Sequence, residues 1–136
     1  MRRFFIASHG RFASGIKTSL EILLGKADQV TVFDAYCDET RLDNALNAFY
    51  KTVEANDQVF LLSDLYGGSV NSELYCVADR SNTTLIAGIN LALVLELVAC
   101  DQWLSEQDLL EIIENSRQAL RLVKQDKEAL VSDDFF

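Results

Sequence analysis

The sequence contains a single histidine, and its surroundings suit it to chemistry. His9 stands between Ser8 and Gly10, and the apolar run Phe4–Ala7 comes just before Ser8. An apolar run that ends in small and polar residues is typical of a buried strand that leads into a loop. In a neutral imidazole, one ring nitrogen can attack while a partner holds the other. His9 is therefore either a nucleophile that faces a cleft or an incidental loop residue.

A carboxylate occupies the corresponding place after another apolar run. Asp64 follows Val59–Leu62 and Ser63. A carboxylate that accepts a hydrogen bond from one ring N–H fixes the imidazole tautomer and stabilises positive charge on the ring. The alternative is that Asp64 caps a turn or a helix. We expect it to orient His9 if the fold brings the two residues together.

A third group of candidates begins a predicted helix. Gly67, Gly68 and Ser69 would let backbone N–H groups converge at the start of that helix, where an anion such as a phosphoryl group is favoured. No G-K-S/T sequence follows, so this is not a Walker loop. Ser69 is either a phosphate contact or a helix cap. Arg11 could reach a phosphoryl oxygen, although a loop arginine is usually exposed.

Apolar runs and helical periodicity alternate four times along the chain. Predicted strands cover Phe4–Ala7, Val30–Phe33, Val59–Leu62 and Thr83–Ile86. The first two helices are predicted over Ser14–Leu24 and Arg41–Asn56, and a third follows Ser69. Asn90 is expected to cap a fourth helix, and a capping box at Ser105–Asp108 begins a fifth. The side chains predicted to be buried on the first and last helices are Ile16, Leu20, Leu23, Leu24, Leu109, Ile112, Ile113, Leu120 and Val123.

This alternation predicts an α/β fold in which residues 1–136 form one domain. We expect an open, doubly wound, mostly parallel sheet with helices on both faces, because its strands are continuous apolar runs. Ligands of such sheets bind outside the carboxyl ends of the strands. A strand order of 2-1-3-4 would make the loops after strands one and three neighbours, which would bring His9 and Asp64 together.

Composition excludes several classes of function. Twelve basic and twenty-one acidic residues give a formal charge of −9, which argues against a nucleic-acid partner. A single histidine and scattered carboxylates predict no metal site. The sequence shows no signal peptide and no membrane-spanning run, so we expect a cytoplasmic protein. The three cysteines, Cys37, Cys76 and Cys100, are expected to be small buried residues.

Three segments resemble motifs of one known family. Ile6–Gly15 resembles S-H-G-x-F/L-A-x-G, Leu62–Ser69 resembles T-D-L-F-G-G-S, and Ala87–Leu91 resembles G-V/I-N-L-P. These are motifs of enzyme IIA from the mannose family (mannose, fructose, sorbose and N-acetylgalactosamine) of the sugar phosphotransferase system. Their order and spacing match the family over about residues 2–100. Val70 and Ala92 stand where the family commonly has proline.

The resemblance implies a phosphoryl carrier without a cofactor. His9 would accept the phosphoryl group from the phosphocarrier protein HPr and pass it to a histidine of enzyme IIB, which serves the membrane enzymes IIC and IID. Asp64 would partner the ring, and Gly67, Gly68 and Ser69 would surround the phosphoryl group. The family is usually dimeric, and Ala129–Val131 could form an exchanged C-terminal edge strand.

Three alternatives remain from the sequence. A regulatory module of the same fold would sense phosphorylation without feeding a transporter. A hydrolase built from serine, His9 and Asp64 would need a G-x-S-x-G elbow, which is not found here. A phosphoaspartate receiver would carry acidic residues after its first strand, where this chain has Ser8, His9 and Gly10.

Overall fold

Strands and helices alternate through residues 1–125, the part of the chain that the computed structural model describes. The fifth helix, α5, follows α4 without an intervening strand. In chain order the elements are β1 (Arg2–His9), α1 (Phe12–Leu24), β2 (Val30–Ala35), α2 (Leu42–Lys51), β3 (Gln58–Ser63), α3 (Ser69–Tyr75), β4 (Thr83–Ala87), α4 (Leu91–Ala99) and α5 (Glu106–Gln118).

The four strands form one parallel sheet in the order β2-β1-β3-β4, which confirms the predicted order. β1 lies between β2 and β3, and Ala7 is paired with Phe33 on one side and Ser63 on the other. The apolar run Phe4–Ala7 is completely buried, as expected for a strand covered on both faces. The carboxyl ends of all four strands therefore lie at one edge of the sheet.

Each face of the sheet carries its own hydrophobic core. Phe4 and Phe60 stack with ring centroids 5.2 Å apart in the core that α1, α4 and α5 cover. Phe5 packs against Phe49 of α2, also at 5.2 Å, in the core that α2 and α3 cover. Successive residues of β1 thus anchor opposite layers, which holds the end of the strand in place.

Two helix caps predicted from the sequence are confirmed. The Asn90 side chain accepts a hydrogen bond from Leu93 N–H at the start of α4. The Asn90 amide also donates to the Ser116 carbonyl of α5 at 2.7 Å, so one side chain joins the two helices. Ser105 and Asp108 form the capping box of α5.

Four of the predicted buried positions are wrong. Leu120 and Val123 are 87% and 71% exposed because α5 ends at Gln118, before either residue. Leu23 and Leu24 are 56% and 40% exposed. They belong to the last turn of α1, past the three residues with which that helix contacts the core: Ala13, Ile16 and Leu20.

The prediction for the cysteines is also wrong. Cys37 and Cys76 are exposed and Cys100 is partly buried, all as free thiols. Cys37 lies in the loop after β2, while Cys76 and Cys100 occupy the positions that end α3 and α4. Within residues 1–125 no helix has the length and apolar character to cross a membrane. The possible edge strand Ala129–Val131 lies outside the described residues.

Candidate active site

The candidate site lies at the carboxyl edge of the sheet. His9 is the last residue of β1, and Asp64 directly follows β3, the neighbouring strand. Gly10 turns the chain away with a φ of 62°, a conformation that glycine adopts without strain. Its N–H donates to the Ala35 carbonyl at the end of β2, at 2.8 Å. The parallel sheet thus brings together two residues that are 55 positions apart.

One carboxylate oxygen holds both the backbone and the ring of the histidine. Asp64 Oδ2 accepts from the His9 backbone N–H at 2.8 Å and lies 3.0 Å from His9 Nδ1. Oδ1 lies 3.3 Å from the same ring nitrogen. The Asp64 side chain is 12% exposed and the His9 side chain 38%. Nδ1 is therefore turned towards the carboxylate, and Nε2 is left for chemistry.

The environment of Asp64 favours its ionised form. Partial burial acts to raise the pKa of the carboxyl group, but the hydrogen bonds from the backbone N–H and ring of His9 outweigh it and hold the pKa below its ordinary value. At neutral pH the histidine therefore faces a carboxylate that can only accept hydrogen bonds.

Ser69 lies on the other side of the ring. Its Oγ is 3.4 Å from His9 Nε2, at the long end of the hydrogen-bond range. Gly68, not Ser69, occupies the N-cap position of α3, so the interpretation of Ser69 as a cap is wrong. A Cβ added to Gly68 would lie 3.4 Å from His9 Cε1, and Gly67 has a φ of 77°. The two glycines allow the ring and the start of α3 to lie close together.

The structure adds Tyr36, which the sequence analysis missed. Its hydroxyl is 2.7 Å from Ser69 Oγ, and its ring centroid is 5.6 Å from that of His9. Tyr36 directly follows β2, which is the neighbour of β1 in the sheet. The rule that singled out His9 and Asp64 also points to the loop after strand two, but the predicted strand ends at Phe33 and β2 ends at Ala35, so the rule did not single out Tyr36.

The other described residues near His9 that the sequence singled out form no hydrogen bond with its ring. Ser8 is buried, and its Oγ accepts from Ala13 N–H at 2.7 Å and donates to the Gly10 carbonyl, which shapes the turn into α1. Arg11 is exposed, as expected, and lines an open depression beside α1 and β2 with Ser14, Asp34 and Asp38. Val70, in one of the family's proline positions, is 2% exposed and belongs to the core under α2 and α3.

This arrangement suits transfer of a charged group through the ring. Phosphoryl transfer depends chiefly on positioning and on stabilising the peripheral oxygens. His9 offers a nucleophilic nitrogen, Asp64 an orienting carboxylate, and Ser69 a hydroxyl beside the reacting nitrogen. Among residues 1–125, no three His, Cys, Asp or Glu side chains form a group that could hold a metal ion.

Comparisons with known proteins identify relatives of this chain. The family model EIIA-man, described as the fructose IIA component of the phosphotransferase system (PTS), matches residues 3–114. The chain is 29% identical over 124 residues to the mannose-specific EIIAB component of Escherichia coli strain K12, covering 88% of this chain but only 38% of that protein. It is 25% identical over 108 residues to the fructose-specific EIIA component of Bacillus subtilis, covering 77% of this chain and 74% of the relative.

A solved structure shows the same likeness in three dimensions. The PTS IIA protein associated with the fucose utilization operon of Streptococcus pneumoniae is 27% identical, with a TM-score of 0.72. The match covers 89% of this chain and 92% of that one. With the family model matched over most of its length, the chain belongs to the mannose- and fructose-type enzyme IIA family of the sugar phosphotransferase system.

Proposed function

We propose that this protein is a cytoplasmic phosphoryl carrier that accepts a phosphoryl group from phosphorylated HPr on His9 and passes it to a cognate enzyme IIB during sugar uptake. Family membership supports the reaction class. One observation carries the choice of residue: Asp64 Oδ2 holds both the backbone N–H and Nδ1 of the only histidine in the chain, which leaves Nε2 free to react.

The transfer is a substitution at phosphorus. Nε2 attacks the phosphoryl group of the donor histidine, a new N–P bond forms at His9, and the electron pair of the broken N–P bond returns to the donor ring. Asp64 balances the positive charge that develops on the His9 ring. Ser69 and the backbone of Gly67 and Gly68 receive the peripheral oxygens. The second transfer repeats these steps towards enzyme IIB, with His9 as the donor.

The first test is loading of the single histidine. After incubation with phosphoenolpyruvate, enzyme I and HPr, we expect one acid-labile, alkali-stable phosphoryl group, and ³¹P–¹H NMR should place it on Nε2. His9→Ala should fold, as judged by circular dichroism, and accept none. Phosphate on the folded His9→Ala protein would refute the assignment, and phosphate on Nδ1 of the wild type would refute the geometry.

A second measurement separates transport from regulation. A transport component should pass its phosphoryl group rapidly to one cognate enzyme IIB and slowly to the others. A regulatory module would transfer slowly to every enzyme IIB offered, although it would still be loaded by HPr. Single-turnover transfer from loaded protein to a panel of enzyme IIB domains therefore decides between these two roles.

A further inference from the structure

We propose that Tyr36 is a positioning residue: it donates to Ser69 Oγ and so holds the Ser69 hydroxyl in place as a hydrogen-bond donor towards the reacting nitrogen of His9. The inference rests on the proposed function, because it assigns a role within the same phosphoryl site. It starts from two contacts in series: Tyr36 hydroxyl to Ser69 Oγ at 2.7 Å, and Ser69 Oγ to His9 Nε2 at 3.4 Å.

The direction of these two hydrogen bonds follows from Asp64. Its ionised carboxylate only accepts, so the neutral His9 ring must carry its proton on Nδ1. Nε2 then holds a lone pair and can only accept. Ser69 has a single hydroxyl proton, which it donates to Nε2. Its oxygen must then accept from the Tyr36 hydroxyl, so the chain of donors runs from Tyr36 through Ser69 to His9.

The contact between Tyr36 and Ser69 is not a requirement of folding. Tyr36 is 72% exposed, so solvent could satisfy its hydroxyl. Within residues 1–125 the Ser69 hydroxyl forms hydrogen bonds only with Tyr36 and His9, and neither of these side chains is buried. Its backbone nevertheless adopts a left-handed conformation with a φ of 68°, which is uncommon for a residue other than glycine, asparagine or aspartate. The fold keeps an aromatic residue in this conformation, beside the His9 ring.

The same direction serves the phosphorylated state. Once Nε2 bears a phosphoryl group, it no longer accepts, and the Ser69 proton becomes available to a phosphoryl oxygen. Because Tyr36 still donates to Ser69, the serine oxygen keeps a lone pair turned towards the phenol rather than towards the anion. Tyr36 thereby stabilises the loaded form without contacting the reacting atoms and without giving up its proton.

The test compares Tyr36→Phe with Tyr50→Phe. Both substitutions delete a phenolic hydroxyl that contacts another hydroxyl, but Tyr50 contacts Thr83 Oγ1 at 3.2 Å, away from the site. Deleting a hydrogen bond of ordinary strength predicts a loss of about 3- to 10-fold in the rate of transfer from HPr for Tyr36→Phe. Tyr50→Phe should match the wild type. Tyr36→Phe combined with Ser69→Ala should be no slower than Ser69→Ala alone, because both residues act through one hydroxyl.

A second readout does not depend on activity. Because the chain has one histidine, a ¹H–¹⁵N correlation spectrum of the unloaded protein reports on Nε2 without overlap. Tyr36→Phe should shift the Nε2 resonance in the same direction as Ser69→Ala, and Tyr50→Phe should not shift it. An unchanged Nε2 resonance in Tyr36→Phe would refute the inference. So would wild-type transfer by Tyr36→Phe, or additive losses in the double variant.

The two proposals fail in different ways. If the wild type takes no phosphoryl group from HPr, the proposed function fails, and the role assigned to Tyr36 in the loaded state fails with it. If the wild type is loaded on Nε2 while Tyr36→Phe matches it in both readouts, the carrier function stands and only the inference about Tyr36 is refuted.

Discussion

At the scale of single residues, Asp64 both accepts hydrogen bonds from His9 and carries a negative charge beside its ring, and substitutions can separate these two roles. Oδ2 contacts both the backbone and the ring of His9, so an asparagine with its oxygen in this place keeps both acceptor contacts but loses the charge. Asp64→Ala loses both. We expect phosphoryl transfer to fall by up to about 10⁴-fold in Asp64→Ala, with Asp64→Asn between that variant and the wild type.

Rapid-quench measurement of loading by HPr and of transfer to enzyme IIB gives these rates. Asp34→Asn is a matched control, because Asp34 lies on β2 near the same edge and accepts from Ser14 N–H rather than from His9. If Asp64→Ala transferred at wild-type rates in both directions, the carboxylate would be a structural group only.

The pKa of Asp64 predicts a dependence of stability on pH. Because the pKa of this carboxyl is lower in the folded chain than its ordinary value, the ionised group stabilises the folded state above the ordinary value of about 3.9. That stabilisation is lost as the pH falls through the lower, folded-state pKa. In urea unfolding, the stability of the wild type relative to Asp64→Asn should decrease as the pH falls below about 4. A difference that is the same from pH 3 to pH 7 would contradict this.

His9 and Asp64 could be identified from the sequence, but the contacts of Ser69 could not. His9 and Asp64 each lie just past the end of an apolar run. In a parallel sheet the carboxyl ends of all strands lie at the same edge, so the two residues were expected there together. Whether Ser69 would cap α3 or face the His9 ring depended on where that helix begins. The helix begins at Ser69 itself, and Gly68 takes the N-cap position. Tyr36 lies outside the three family motifs, and the residue that its hydroxyl contacts is 33 positions away in the sequence.

At the scale of elements, Asn90 shows that a family motif can have a structural role. Its side chain caps α4 and reaches the Ser116 carbonyl of α5, and it contacts neither His9 nor Asp64. Asn90→Ala should lower the free energy of unfolding by about 2 kcal/mol, through the lost cap and the lost hydrogen bond between helices. Loading of His9 should be unchanged in the folded fraction.

Urea unfolding measures this loss of stability. Asn47→Ala is the control, because Asn47 lies on the exposed surface of α2 and its removal also takes an asparagine out of a helical region. Stability of Asn90→Ala within about 0.5 kcal/mol of the wild type would contradict the structural role.

Element types were predictable, while element ends were less so. The apolar run predicts β1 over Phe4–Ala7, but the strand extends over Arg2–His9 because the parallel ladder continues through polar residues at both ends. Helical periodicity continues to Val123, whereas α5 ends at Gln118. Periodicity reports which face of a helix is apolar and does not report where the core beneath it stops.

At the scale of the whole molecule, we expect a homodimer, mainly from the resemblance to the family. Large apolar side chains on the outer side of α5 and after it are exposed in the single chain: Leu110, Leu120, Leu122 and Val123. A second copy could cover them. Sedimentation velocity at micromolar protein should give a dimeric mass, and Leu122→Asp should shift the protein towards the monomer. A monomeric mass for the wild type would contradict the prediction.

The position of β1 in the middle of the sheet has a consequence for biosynthesis. His9 is made before both strands with which its own strand pairs, β2 and β3, and Asp64 follows it 55 residues later. At about 5–20 residues per second, a ribosome takes roughly 3–11 s to cover that distance. Until Ser63 has been made, the run Phe4–Ala7 lacks β3, one of its two strand partners, and this side of β1 is open to wrong pairing. A chain interrupted before β3 would carry the histidine without the carboxylate that orients it.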